Sequence, residues 1–420
     1  SPILVPVNEV NNELNNLSRK SSSSSSPKYN IRQFSGKSIA VDVSSWLYKG
    51  SYSCADRIVE STETNQIDEE CEQRLCNYII QRCDELLKDV SINRIYLVFD
   101  GERCPLKAAT NKKREMDRQE NLKEARTLKQ IGDTSKASDK YRACIKVAPW
   151  MSDCVAKAIK QKTPQVSCVF SPNEADAQLV KLYIDGFVDA IVTEDSDLLL
   201  YCAALGISIP IIYKLSRNDG SCDVISMDWL LSPDGDDEDM KNNNDELSLY
   251  PCLRRKILGS SNMISYLNEM ISHERRQKGS GARMFIQACV LAGCDYAPKR
   301  LYGVGIVNTF KMIKEHAHVD ASSRFHHILN SFPADKILPE DTNEDINSKG
   351  SVQIKEEDLP EAIQRYVTLL AKSEAVFYCH QVRNIRTGEI EHLCSPLSYE
   401  AGNSLTCSET NKSEQNIIRS

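Results

Sequence analysis

The chain has 420 residues, 41% hydrophobic and 7% aromatic, with a formal net charge of -7 at pH 7. That length supports one substantial core with an appended region, and the negative balance excludes a globally basic nucleic-acid coat, so any polyanion must meet a local patch. No apolar run approaches the ~20 residues of a bilayer span and the N-terminus lacks the basic-then-apolar order of a signal peptide, so the expectation is a soluble, intracellular protein without a membrane partner.

In chain order, residues 1–30 carry "SRKSSSSSSPKYN", a polar low-complexity segment with nothing to pack, and disorder is expected there. From "KSIAVDVSSWLYKG" onward, short β-branched runs alternate with longer amphipathic stretches. Strands are expected at 38–41, 94–99, 165–170, 190–192 and 207–213, and helices near 67–89, 105–128, 135–161 and 174–185. The alternation implies an α/β fold, a mostly parallel sheet covered by helices on both faces.

Residues 231–282 read as an acidic and polar insertion opened by "SPDGDDEDMKNNNDELS". Its "DGDDED" start faintly mimics a calcium loop, but Asp239 stands where the turn glycine belongs, so a solvated acidic loop is the better reading. A second polar stretch covers 339–358, and the end beyond about Ser395 looks loose. The sixteen cysteines are scattered singly with no CxxC pair, which reads as reduced core thiols; with only seven histidines beside them, zinc is disfavoured.

The acids carry the chemistry. Asp42 ends "SIAVD", Asp100 ends "IYLVFD", Glu174 and Asp176 follow "VSCVF", and Asp195 and Asp197 follow "DAIV". Each sits just past a strand's carboxyl end, and in an open α/β sheet those ends face one crevice. Singly, each acid could be an ordinary helix-start residue suited to free amides and the dipole. Together they repel: two like charges ~5 Å apart cost roughly 3 kcal/mol at an effective dielectric of about 20. A pocket of carboxylates needs cations, and all-oxygen donors suit Mg²⁺ or Mn²⁺. Two such ions imply hydrolysis of a phosphate ester by in-line displacement.

After Asp100, "GERCPLKAATNKKREMDRQENLKEARTLK" places Lys107, Asn111, Arg114 and Arg118 at helical spacing, with Lys112 in the "NKKR" cluster. The stripe is either a solvated helix face, given the interleaved Glu115, Asp117 and Glu120, or a cationic guide for a nucleic-acid phosphate. Farther on, "LAGCDYAPKRLYGVGIVNTFKMIKEH" supplies a seventh acid, Asp295, and a tight turn at Gly303 and Gly305 ahead of a helix whose first amides are free for a phosphate.

Taken in order, "VFDG", "NEADAQLV", "VTEDSDLL" and "LAGCDY" followed by "GVG" resemble the flap endonuclease and XPG-type structure-specific 5′ nucleases from about Ile31 to Arg383. "EADAQ", "TEDSDLL", the 132–159 stretch and "AVFYCHQVRN" are more similar to the exonuclease 1 branch than to flap endonuclease proper. The resemblance implies a PIN-like nuclease core over 31–230 with a helical gateway at about 103–161. It also implies a helix-two-turn-helix and C-terminal helical part over 283–385, ahead of a loose 386–420.

It implies that Asp42, Asp100, Glu174, Asp176, Asp195, Asp197 and Asp295 hold two Mg²⁺ ions, with Mn²⁺ a substitute; which acid bridges the ions stays open, Asp176 being the candidate. Lys107 and Arg114 then contact the scissile phosphate, and Tyr48 meets the terminal base. Lys112, Arg118, Gly303 and Gly305 contact DNA, with K⁺ at the helix-two-turn-helix. The implied activity is 5′-to-3′ DNA exonuclease and 5′ flap endonuclease in DNA repair, mismatch repair and recombination, in a nuclear monomer acting on nicks, gaps, 5′ ends and flaps. Mismatch-repair proteins are partners by the resemblance alone. A flap endonuclease proper and a DNA-junction binding protein with impaired catalysis are the alternatives. Ala292 stands where the exonuclease branch has a hydroxyl, and one extra residue separates Asp295 from Gly303.

Overall fold

Residues Ser38–Asp42 form a strand (β2) whose side chains alternate between two apolar layers: Ile39 and Val41 enter one, Ala40 the other. This period of two, apolar on both faces, marks a central strand of a covered sheet. The structure, a computed structural model, describes residues 29–64, 68–231, 262–337 and 358–394.

The other strands are Tyr29–Asn30 (β1), Arg94–Phe99 (β3), Val166–Phe170 (β4), Ala190–Val192 (β5), Ile211–Tyr213 (β6) and Ser221–Ile225 (β7), in the order β1-β7-β6-β5-β2-β3-β4. β2 pairs parallel with β3 and β5, β3 with β4, and β5 with β6. β7 and β1 add an antiparallel edge. A mostly parallel sheet covered by helices is the architecture expected from the alternation.

Helices Val43–Gly50 (α1), Ala55–Thr64 (α2) and Glu69–Asp84 (α3) follow β2. Ala108–Gln130 (α4), Thr134–Cys144 (α5) and Pro149–Lys162 (α6) follow β3. Ala175–Ile184 (α7) lies between β4 and β5, Leu198–Leu205 (α8) between β5 and β6, and Asp228–Leu231 (α9) after β7. Asn262–Arg276 (α10), Ser280–Ala292 (α11), Ile306–Glu315 (α12), Arg324–Ser331 (α13) and Leu359–Cys379 (α14) build the C-terminal half. One apolar layer packs α7, α8, α11 and α14 on the sheet, the other α1, α3 and α6. A third cluster, with Val59, Leu122, Ala125 and Tyr141, joins α2, α4 and α5.

Several boundaries differ from expectation. The strand expected over 207–213 begins only at Ile211: the Gly206 turn (φ 62) directs the Ile207 amide back to Cys202, and Pro210 has no amide to donate. The single helix expected over 135–161 is two, because the chain turns extended at Ile145 and restarts with Pro149 in the first turn. Tyr29 and Asn30, expected as part of a disordered segment, pair with Cys222 and Ser221. The insertion expected over 231–282 contains α10, whose Leu267 and Met270 are in the core. The loose end expected from 386 contains Ile390–His392 (β9), paired with Gln381–Arg383 (β8). The calls on 1–28, 232–248, 339–357 and 395–420 lie outside the described residues.

Most of the described cysteines are buried, as expected of core thiols. No helix among the described residues is long and apolar enough to cross a membrane.

Candidate active site

The parallel strands end together, and the turns after them carry the acids. Asp42 closes β2 and caps α1: its Oδ1 accepts the Ser44 amide at 3.0 Å and its Oδ2 accepts the Thr193 hydroxyl at 3.2 Å. Asp100, one residue past β3, accepts the Ser44 hydroxyl at 2.7 Å and the Ala175 amide at 2.9 Å. Two acids from neighbouring strands thus share Ser44, and Asp100 is tied to the start of α7. Gly101 completes that turn, since a Cβ there would stand 2.0 Å from the Ser171 carbonyl oxygen.

Glu174 occupies the cap position of α7 and Asp176 its first turn. Asp195 and Asp197 lie between β5 and α8, where the Asp195 amide donates to the Thr193 hydroxyl at 3.0 Å and the Asp197 amide donates to Asp195 Oδ1 at 2.9 Å. Both pairs therefore sit in strand-to-helix turns, where residues two apart converge. Asp295 arrives from the turn after α11 and is 7% exposed.

Burial and mutual repulsion raise the pKa values of Asp42, Asp176, Asp195 and Asp197. Burial, then the Asp100 and Asp195 charges, push Asp42 up to about 7. Burial comes first for Asp176 and Asp197 as well; both stand well above the ordinary carboxylate range, raised further by Asp195. Asp195 is raised by its own burial. Asp42, Asp195 and Glu174 all act on Asp176, while Asp195, Asp295 and Glu174 act on Asp197. The seven form one electrostatic cluster.

One ammonium lies inside it. Lys107 Nζ is 2.8 Å from Glu174 Oε1, 3.1 Å from Asp295 Oδ2 and 4.6 Å from the centre of the Tyr296 ring. Burial works against its charge, but Glu174 and Asp295 outweigh that and hold its pKa above the ordinary lysine value. Arg114 reaches both oxygens of Asp295 at 3.0 Å. Among the described residues, no three acids, histidines or cysteines form a ready-made metal cage; the cluster is gathered around a lysine instead. The donor set nevertheless fits a hard divalent cation, being all carboxylate oxygen with its charge left largely uncompensated.

The remaining sequence candidates are spread around this centre. Arg118 is one turn beyond Arg114 and pairs with Glu115 at 3.4 Å; Lys112 is exposed on the same helix. Tyr48 is half-buried: its hydroxyl donates to the Arg142 carbonyl at 3.0 Å and its ring meets Tyr52 edge-on at 5.6 Å. Gly303 adopts φ 71, and neither it nor Gly305 has anything within 4 Å of where a Cβ would stand, so that turn is open to close backbone approach.

Sequence reasoning did not single out the groups that hold the acids: Ser44, Thr110, Thr193 and Tyr296. Tyr296 donates to Glu174, Tyr201 is 3.3 Å from the Tyr296 hydroxyl, and Thr110 donates to the Asp295 carbonyl. Tyr296 was findable, being adjacent to the seventh acid in "GCDY". Burial holds the His380 imidazole below its ordinary pKa.

Family profiles described as XPG N-terminal domain and XPG I-region match residues 14–121 and 165–295, together more than half of the chain. The chain belongs to the XPG-type 5′ nuclease family. The two matched regions of this chain contain all seven acids and both Lys107 and Arg114. Exonuclease 1 of Oryza sativa subsp. japonica is 26% identical over 285 residues, 68% of this chain and 27% of its own length. Exonuclease 1 of Danio rerio is 28% identical over 284 residues, 68% and 28% of the two chains. Exodeoxyribonuclease 1 of Saccharomyces cerevisiae is 32% identical over 171 residues, 41% and 23%. The chain spans about a quarter of the length of these relatives. The catalytic core of Rad2 in complex with DNA substrate aligns at 17% identity with a TM-score of 0.42, covering 83% of this chain and 81% of that one.

Proposed function

We propose that the chain is a divalent-metal-dependent, structure-specific DNA nuclease. Its reading is a 5′-to-3′ exonuclease on duplex ends, nicks and gaps with 5′ flap endonuclease activity, serving repair and recombination in the nucleus. The observation that carries it is the convergence of seven acids from five turns around Lys107, with Arg114 beside it. A binding module has no use for such repulsion, which argues against the junction-binding alternative.

Asp42, Asp100, Glu174, Asp176, Asp195, Asp197 and Asp295 would hold two Mg²⁺ or Mn²⁺ ions. When bound, the ions supply an activated water and stabilisation of the leaving oxygen in an in-line displacement. Lys107 caps α4 and Arg114 lies in its second turn, and both offer charge-assisted donors to the scissile phosphate. Asp176, which feels Asp42, Asp195 and Glu174 together, is the acid suited to lie between the ions. Lys112 and Arg118 extend the cationic face along α4, and Tyr48 at the foot of α4 and α5 faces the end of the duplex. The open turn at Gly303 and Gly305, with a K⁺ ion, presents backbone to duplex phosphates.

The deciding experiment compares wild type with Asp195→Ala on a 5′-recessed duplex in Mg²⁺. Wild type shortens the 5′-recessed strand, and the variant is slower by at least about 10²-fold; equal hydrolysis by both overturns the reading.

A further inference from the structure

The "AVFYCHQVRN" segment closes α14 and leads into β8, and its histidine has no role in the reading above. His380 is 6% exposed. Its Nε2 has no hydrogen-bond partner among the described residues and stands 3.9 Å from Glu174 Oε2. At 3.4 Å the adjacent Gln381 carbonyl is too far to hold a proton on Nδ1, so the neutral ring can carry its single proton on Nε2.

Glu174 is held from two other sides. Lys107 takes Oε1 at 2.8 Å and the Tyr296 hydroxyl donates to Oε2. A carboxylate oxygen accepts more than one donor, so Oε2 has room for His380. A buried polar nitrogen without a partner is unfavourable and calls for an explanation. The gap exceeds the usual limit of about 3.2 Å by less than an ångström, a distance that a rotation of the carboxylate closes. Lys107 holds the other oxygen, Oε1, and in the function proposed above it offers its charge to a substrate phosphate, which would release that oxygen.

We infer that His380 is a positioning residue for Glu174: as Lys107 leaves Glu174 for the phosphate, His380 Nε2–H donates to Oε2 and keeps the carboxylate aimed at the cation site. The inference rests on Glu174 being one of the cation-holding acids. His380 touches neither substrate nor cation. It makes the end of α14, far along the chain from the acid pairs, part of the active site's support.

The test uses the full chain and three variants. His380→Gln keeps a donor at the reach of Nε2, His380→Asn keeps the amide but falls short, and His380→Leu fills the volume without a donor. Two titrations are read: the rise in melting temperature on adding Ca²⁺ alone, and the Mg²⁺ concentration giving half-maximal cleavage of the 5′-recessed duplex. The Leu and Asn variants are expected to need about tenfold more Mg²⁺ and to lose most of the Ca²⁺-induced rise, with Gln within about threefold of wild type. Wild-type titrations in Leu and Asn overturn the inference, as do equal losses in Gln and Asn, which would mean that the ring only packs. If Leu does not fold, the Gln and Asn contrast decides. A wild type that Ca²⁺ does not stabilise also overturns it. A wild type that does not cleave, but whose Ca²⁺ response falls in Asn and survives in Gln, overturns the nuclease reading and leaves the positioning role standing.

Discussion

The buried hydroxyl of Thr110 donates to the backbone carbonyl of Asp295 at 2.8 Å, across 185 residues of chain. That bond fixes the root of α4, and with it Lys107 and Arg114, to the turn that carries the seventh acid. Thr110→Val keeps the shape and removes the donor. Its cost is about 1–3 kcal/mol for the carbonyl left behind. We expect a lower melting temperature and a fall in cleavage rate larger than any fall in DNA affinity, measured by thermal denaturation and single-turnover assays.

Arg114 separates binding from chemistry in the same way. It is one cation among many along the crevice and α4, so its loss changes a many-contact affinity little. It lies 3.0 Å from both carboxylate oxygens of Asp295, one of the acids proposed to hold the ions. Arg114→Ala is expected to lower the single-turnover rate by about 10²-fold with dissociation constants within about threefold of wild type. Parallel losses of rate and affinity would remove the role assigned to it.

The acid cluster predicts an inverted pH response. Asp42 titrates near its ordinary value of 3.8 when unfolded and is raised to about 7 when folded, first by burial and then by Asp100. Between those values the folded chain binds more protons than the unfolded chain, so stability falls as pH rises. In EDTA the melting temperature should decline from pH 4 to pH 7, and Asp42→Asn should flatten that decline. Mg²⁺ added at pH 7 should restore stability by binding the folded state alone. A wild-type melting temperature that rises with pH in EDTA, matched by the variant, would show that the cluster costs nothing.

These groups also show how far the sequence could be read. β2 to β5 and the turns carrying the acid pairs were legible because an apolar run ending in a carboxylate is a local pattern. β7 was not: "SCDVI" is a short strand, next to the sheet's edge, with only every second residue buried. α8, "LLLYCAAL", is apolar on every side, so no periodicity separates helix from strand, and only its burial between sheet and α11 decides. The support for the acids was hidden for a different reason. Thr193 meets Asp42 across 151 residues and Tyr296 meets Glu174 across 122, pairings that only the folded chain creates.

The paired helices α4 and α5, an arch held to the body of the protein through α2, are clasped from outside. Glu60 on α2 accepts from Arg126 of α4 at 2.9 and 3.2 Å and from the Tyr141 hydroxyl of α5 at 3.2 Å, while Lys129 reaches Asp56 at 3.2 Å. Hydrogen bonding to Arg126 holds Glu60 below its ordinary pKa. The pair is more than 40% exposed on both sides, so its worth is at most about 1 kcal/mol. Glu60→Ala should therefore shift the melting temperature by no more than about 4 °C. Locally the same energy matters more, because α4 and α5 rest on the small cluster of Val59, Leu122, Ala125 and Tyr141 rather than on the main core. Amide exchange in α4 and α5 should quicken by about fivefold, with the sheet unchanged. If exchange there stays at the wild-type rate, the apolar cluster alone holds the arch and the clasp is incidental.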